Sequence, residues 1–461
     1  MNLFIKNAKI FILVLTVGCM SSCELVNVTD VEPVFQISDD KVITNIGQAE
    51  EVLQGAYSFL IERTLTGFPY ITTLPGISGW MGLTQELGVS ATTEEFFNNN
   101  VSADNAVIDD TYPILYELIN NANHVISKTE LLTTTAPRKN EIIAEAKFLR
   151  ALSHFYLLRL FGEFFDVSSP YGVILKETPT SNVNPQPRAS VEETYQSILN
   201  DLDDAIQNAP DFSTTLHASK IAAEALKSKV LLYKKEYNNA ATLALKVINS
   251  GERSLEDSFG EIFTKKIDNP LEAIFQASYN TTSESNGKQF YFAAHYVVSN
   301  YYVDLISSDA RFNDAITFTS SGDIRNKKFV DPLNVDRNSP DTEYFLRLAE
   351  VYLIYSEAIL RGNNNIVASS DALNVIRARS NNPLILANNK ADLLKAIRIE
   401  KILELGAESG EEWYDLVRFH TEGDININDH KSLPSENHLI LPLPEKTIMV
   451  SDGVIKQNPG Y

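Results

Sequence analysis

The sequence predicts a mainly α protein: a tetratricopeptide-like scaffold of helical pairs, broken by long insertions of loop and short strand. Three observations predict it. Apolar residues recur at steps of three and four through residues 45–65, 110–250 and 343–420, a spacing that gathers one face of a helix. Residues 217–251 form two such stretches joined by a tight turn near Lys235, with small Ser228 on the first and Tyr237, Ala240, Ala244 and Val247 on the second. Small residues let paired helices approach closely, and several pairs must stack to bury a continuous core. Comparable pairs at 141–208 and 342–380 make about four divergent repeats. By contrast, residues 66–109 and 251–342 lack helical period and are rich in Gly, Pro, Thr and Asn, which are loop signals.

The chain opens on a leader. Lys6 and Lys9 precede an apolar run from Ile10 to Val17. That run is well short of the roughly 20 residues a transmembrane helix needs, so it predicts an export signal that is removed. Both cysteines of the chain, Cys19 and Cys23, close this leader. Small residues before a cysteine are the pattern of a bacterial lipoprotein signal, and Met20-Ser21-Ser22 before Cys23 fits it better than the residues before Cys19, the alternative. The expected organisation is a signal peptide over 1–22, a lipidated tether over 23–44, and a single domain over 45–461. Several acyl chains hold a protein at a membrane far more firmly than one.

Within the domain, Ala49, Val52, Leu53, Ala56, Phe59 and Leu60 line one face of a helix over 45–65. In "NEIIAEAKFLRALSHFYLLRLFGEF", Ile142, Ala146, Leu149, Ser153, Tyr156 and Leu160 do the same. His154 sits mid-helix among apolar residues and is expected to be a satisfied core histidine. After a Pro-rich link, Ser190 and Glu193 stand at the spacing of a capping box, in which each side chain satisfies an orphan backbone donor of the other. "EAIFQASY" predicts a short strand at 272–279. Arg347 and Glu350, three apart, are expected to pair on one helix face.

Without its leader the chain carries 37 basic and 60 acidic residues, a formal net charge of −23. Nucleic-acid binding leaves a basic footprint, so that class is disfavoured. No nucleophile motif appears, the seven histidines are scattered, and no Cys/His metal set remains once the thiols are spent at the terminus; no metal or cofactor is expected. Carboxylate pairs at Glu94–Glu95, Glu411–Glu412 and Glu400/Glu404 carry the chemistry that glycoside hydrolysis needs. The last stands beside Arg398 and Lys401, which makes a solvated, ion-paired helix face the better reading. Binding aromatics are a stronger candidate than catalysis. Sugar rings stack their C–H faces on aromatics while amides read the hydroxyls. The candidate ligand contacts are Trp80, Phe97, Asn99, Tyr291, Tyr296 and Tyr302, all in the two irregular regions; Trp413 is expected to be core.

The lipoprotein start, "LQGAYSFL", "EAKFLRALSHFYLLRLFGEF", "RASVEETYQSILNDLDDAI", "FLRLAEVYLIYSEAILR", "IRIEKILELGAESGEEWYDLVRF" and the closing "QNPGY" together carry a resemblance to the SusD/RagB family. It implies a lipid-anchored, surface-exposed protein of the Gram-negative outer membrane. Such a protein is not an enzyme but a lid on a TonB-dependent, SusC-like barrel, binding an oligosaccharide for import. A peptide-binding lid and an extracytoplasmic glycan hydrolase are the alternatives. Two motifs depart from the family pattern. "ELGAESGEEWYDL" lacks the arginine usual before the Trp, and "FGEFFDVSSPYG" replaces a Gly-Asp-Val-Pro run. Ligand-binding loops vary within the family, so the resemblance transfers no specificity.

Overall fold

The computed structural model describes residues 42–61, 77–87, 91–180, 185–279, 296–318, 322, 324–328, 341–408 and 410–461. Cys19, Cys23 and the leader lie outside them. Residues 45–461 form one unit, and residues 1–44 belong to another.

Ten helices of the described residues carry the scaffold: α1 (Ile46–Ser58), α2 (Ala106–Glu130), α3 (Pro137–Phe161), α4 (Val191–Asn208), α5 (Lys220–Tyr233), α6 (Tyr237–Asn249), α7 (Leu348–Asn363), α8 (Ile366–Arg379), α9 (Lys390–Leu405) and α10 (Glu411–Thr421). From α1 to α8 each helix packs on the next. α6 packs on α7 although the whole second insertion separates them in sequence. The stack therefore runs on across the insertion, as expected when each pair buries its apolar face only against neighbours. α3 touches α1, α2 and α4 and is buried nearly all round from Ile142 to Phe161, the pattern of a helix at the centre of a bundle.

Local signals explain the ends. The Ser190 hydroxyl accepts from Glu193 N at 3.2 Å, and the Glu193 carboxylate accepts from Ser190 N at 2.8 Å, completing the expected capping box. Lys235 takes a left-handed φ of +66° in the turn between α5 and α6. Three boundaries differ from the sequence reading. α1 stops at Ser58. α2 starts at Ala106, four residues before the expected 110, because the Asn105 side chain caps it by accepting from Val107 N at 2.9 Å; Pro113 falls inside the helix. α7 starts at Leu348, since residues 341–347 are a strand.

Six short strands of the described residues accompany the helices: β1 (Gln85–Leu87), β2 (Ala273–Tyr279), β3 (Tyr296–Val298), β4 (Ile316–Phe318), β5 (Ile324–Asn326) and β6 (Asp341–Arg347). β2, the expected strand, pairs antiparallel with β6, and β4 pairs with β5. β1 pairs antiparallel with β3, Gln85 opposite Val298 and Leu87 opposite Tyr296. β1 belongs to the first irregular region and β3 to the second, so one small sheet joins the two insertions.

Buried charge corrects three readings. Glu400 and Glu404 are fully buried, not solvated. Glu404 accepts from Arg347 Nη1 at 2.6 Å and Arg311 Nη1 at 2.9 Å, and Glu400 from Arg311 Nη2 at 2.5 Å. Their partners come from β6, the second insertion and α8, where Arg379 pairs with Glu404 and Arg377 with Glu400, not from the neighbouring Arg398 and Lys401. Arg347 does not pair with Glu350. It bridges Glu272, Glu404 and Glu408, whereas Glu350 accepts from Lys229 Nζ at 2.6 Å. The strand-to-helix break at 347/348 removes the helical spacing that the pairing assumed. His154 is core but unsatisfied, with no hydrogen-bond partner on either ring nitrogen. Burial, helped by the nearby Arg150 charge, pushes it down to about 3 and keeps it neutral.

Candidate functional site at the junction of the insertions

The β1–β3 sheet seats both insertions on the scaffold. Ser299 ends the sheet and caps the short helix Asn300–Ile306, its hydroxyl accepting from Tyr302 N at 3.1 Å. Its own N–H donates to the Thr84 carbonyl at 3.0 Å. Thr84 Oγ1 in turn donates to Glu412 Oε1 at 2.6 Å, and Ala407 N also donates to that carboxylate. Burial raises the Glu412 carboxyl above its ordinary range. The turn at 77–83 lies hard against the start of α10: a Cβ at Gly82 would sit 2.6 Å from Trp413 N and 2.7 Å from the Ser78 carbonyl. Only glycine allows that approach. The neighbouring Glu411 ties α10 to the helical stack, accepting from Arg159 Nη1 at 2.8 Å, Lys229 Nζ at 2.7 Å and the Tyr233 hydroxyl at 2.8 Å. These two cations hold its carboxyl well below the usual range.

On this base stands a compact aromatic and cationic group. The Trp80 and Phe96 rings lie 6.2 Å apart. Lys431 Nζ donates to the Trp80 carbonyl and sits 4.9 Å from the centre of the Phe97 ring, within cation–π range. Burial pushes the Lys431 ammonium down to about 7. Sequence reasoning missed Lys431. It lies 351 residues from Trp80 in a polar loop, with no local pattern to mark it.

The six expected ligand contacts separate here. Trp80, Asn99 and Tyr302 are each about 1% exposed, so they build the platform instead of presenting a face to a ligand. Trp80 packs on Phe96. Tyr302 is wedged against Gly406, its hydroxyl 3.5 Å from the Leu403 carbonyl. Asn99 holds a left-handed turn at φ +50°, which Asn tolerates better than most residues. Phe97 is half-buried and reaches the surface, between exposed Asn98 and Asn100. Tyr296 contributes backbone to β3; its side chain and all of Tyr291 lie outside the described residues. Trp413, expected as core, is 2% exposed.

A half-exposed ring, exposed amides and a cation of softened charge suit a neutral polar ligand. Among the described residues no group of three or more His, Cys, Asp and Glu could hold a metal ion. Five of the six paired carboxylates are engaged structurally, and Glu94 is exposed. Glu400, Glu404, Glu411 and Glu412 are buried in the contacts above. Glu95 accepts from Ser102 N at 2.9 Å and Asn105 Nδ2 at 2.8 Å, which stiffens the turn leading into α2.

Two family models match the chain in tandem. One, described as starch-binding associating with outer membrane, covers residues 79–232; the other, described as the SusD family, covers residues 264–461. The chain belongs to the SusD/RagB family. It is 25% identical to a SusD-like protein of Formosa agariphila, over 95% of this chain and 97% of that one. A second SusD-like protein of the same organism is 25% identical, over 99% of each. Among solved structures, a SusD superfamily protein from Bacteroides thetaiotaomicron superposes with a TM-score of 0.78 at 22% identity, covering 90% of this chain and 100% of that one. A laminarin-binding SusD-like protein superposes with a TM-score of 0.75 at 21% identity, covering 91% and 100%. These SusD folds share the mainly α architecture.

Proposed function

We propose that this SusD-family protein is an outer-membrane surface lipoprotein, without catalytic activity, that binds a neutral glycan and passes it to a TonB-dependent, SusC-like barrel. The observation that carries the reading is the β1–β3 pairing, which brings two distant insertions into one platform on a rigid stack. Recognition is commonly placed on loops held by such frames. The starch-binding description of the matching family model and the laminarin-binding neighbour support a glycan over a peptide. Among the described residues no helix is long and apolar enough to cross a membrane, and acylation of Cys23 supplies the attachment.

The test is titration calorimetry of the acyl-free chain against laminarin, starch, other soluble polysaccharides and a set of peptides. Glycan binding with no shortened product on chromatography is expected, and Phe97→Ala weakens it roughly tenfold, about 1.4 kcal/mol. Peptide binding alone, or released sugar, overturns the reading. In cells, Cys23→Ala moves the protein from the membrane to the soluble fraction, whereas Cys19→Ala leaves it membrane-bound; the reverse result assigns the anchor to Cys19. A large β-barrel protein co-purifying with the native chain is expected from the delivery role.

A further inference from the structure

We infer that a second sugar-binding subsite, taking one neutral hydroxylated ring, lies in the cleft between α1, the loop before α5 and strand β2. It rests on the glycan-binding reading and is separate from the junction platform. The cleft has a volume of about 230 Å³, suited to something smaller than the drug-sized ligands of typical pockets. The His217 ring stacks on the Tyr57 ring, centres 4.9 Å apart and planes 35° from parallel, so the half-buried imidazole lines the cleft and the buried Tyr57 backs it.

That stack is fixed in place. The Tyr57 hydroxyl donates to Glu145 Oε2 at 2.7 Å and accepts from Ala218 N at 2.8 Å. Arg138 holds Glu145 at 2.5 Å and Glu50 at 2.8 Å. The nearby cation is thus already paired with two carboxylates. At the rim the Gln54 amide stands 3.3 Å from His217 Nε2.

The wall supplies a second, independent observation. Gln276 is fully buried and lines the cleft. Its Nε2 donates to Thr215 Oγ1 at 2.8 Å and the Lys266 carbonyl at 3.3 Å, which fixes the orientation of the amide. Its Oε1 has no hydrogen-bond partner. Buried acceptors are rarely left unpaired, and a ligand hydroxyl would satisfy this one while the ring face rests on His217. Ile61 and Ser278 also line the cleft; Ile61 follows α1 on the way to the first insertion, and Ser278 lies in β2, within the second. The subsite therefore lies at the root of both insertions, where a bound glycan could be gripped a second time.

The test is saturation-transfer NMR on the acyl-free chain with methyl glucoside, methyl galactoside and methyl mannoside, beside the polysaccharide titrations. Transfer to at least one glycoside is expected. His217→Ala weakens it fivefold or more, Gln54→Ala weakens it less, and His217→Phe restores it by returning the stacked ring. The same order holds in a Phe97→Ala background, which removes the junction platform's share of the signal, and thermal melts confirm that the variants fold. If His217→Ala has no effect, if Phe97→Ala alone abolishes transfer, or if no glycoside binds while a polysaccharide does, the subsite is refuted and the glycan-binding reading stands. If neither glycoside nor polysaccharide binds, both fail.

Discussion

At the scale of single residues, Lys431 is the most informative position. Its ammonium is carried into the platform with a carbonyl and an aromatic ring for company, and burial lowers it to about 7. The unfolded chain holds the same proton until about pH 10.4. Between those values the unfolded chain binds more protons than the native one, so raising the pH through that window stabilises the fold. Below pH 7 both states are charged and the full cost of burying the ammonium is felt. Lys431→Met, which keeps the aliphatic stem, is therefore expected to raise the melting temperature most at pH 6 and little at pH 10. Melts of both proteins across that range check it; a difference that is flat with pH, or larger at high pH, contradicts the assignment. Nothing in the local sequence distinguishes this lysine, because its environment is assembled by residues of the first insertion.

At the scale of elements, what was legible follows from how local the cause is. The helical pairs, the Ser190–Glu193 box, the turn at Lys235 and strand β2 each depend on residues a few positions apart, and all are present as the sequence indicates. The pairings that build the candidate site span hundreds of residues. Glu412 receives its bond from Thr84, 328 positions away, and Glu411 reaches Arg159 at a separation of 252. Periodicity carries no record of such partners, so Glu400 and Glu404 looked like a solvated face and three of the six site candidates proved to be packing residues. One local feature does announce the junction, the glycine at 82. Gly82→Ala places a methyl group against two backbone atoms that cannot move independently of α10. Overpacking of this kind costs about 1–3 kcal/mol. The chain has only two tryptophans, and both lie at this contact: Trp80 in the helical turn just before Gly82, and Trp413 against it. Urea unfolding should show the loss of stability, and native-state fluorescence a red shift, because both indoles are buried in the wild type. Lower stability with an unchanged emission maximum would mean that the strain is absorbed elsewhere.

At the scale of the whole molecule, buried ion networks bind the helices to one another and, through Arg311, to the second insertion. Glu404 gathers Arg347, Arg311 and Arg379; Glu411 gathers Arg159 and Lys229; Glu357 gathers Arg418, Lys401 and Arg361. In each case burial alone would raise the carboxyl, and the surrounding cations more than reverse it, holding all three below their ordinary range. Removing one partner from such a network leaves buried charge uncompensated, a loss of about 3–5 kcal/mol. Glu404→Gln is expected to cost that much at pH 7. Because the native carboxylate is depressed, its contribution is complete above the unfolded value of about 4.3 and is lost as pH falls toward the native one. At pH 3 the unfolded wild type has taken up the proton while native Glu404 is still charged. The gap between wild type and Glu404→Gln should therefore narrow by roughly 1–2 kcal/mol between pH 7 and pH 3. Urea titrations at the two pH values measure it directly. A gap that stays constant would show that the Glu404 carboxyl takes up its proton alike in the native and unfolded chains, so that Arg311, Arg347 and Arg379 do not depress it; a gap near zero at pH 7 would show that the three arginines are compensated by Glu272, Glu400 and Glu408 without Glu404.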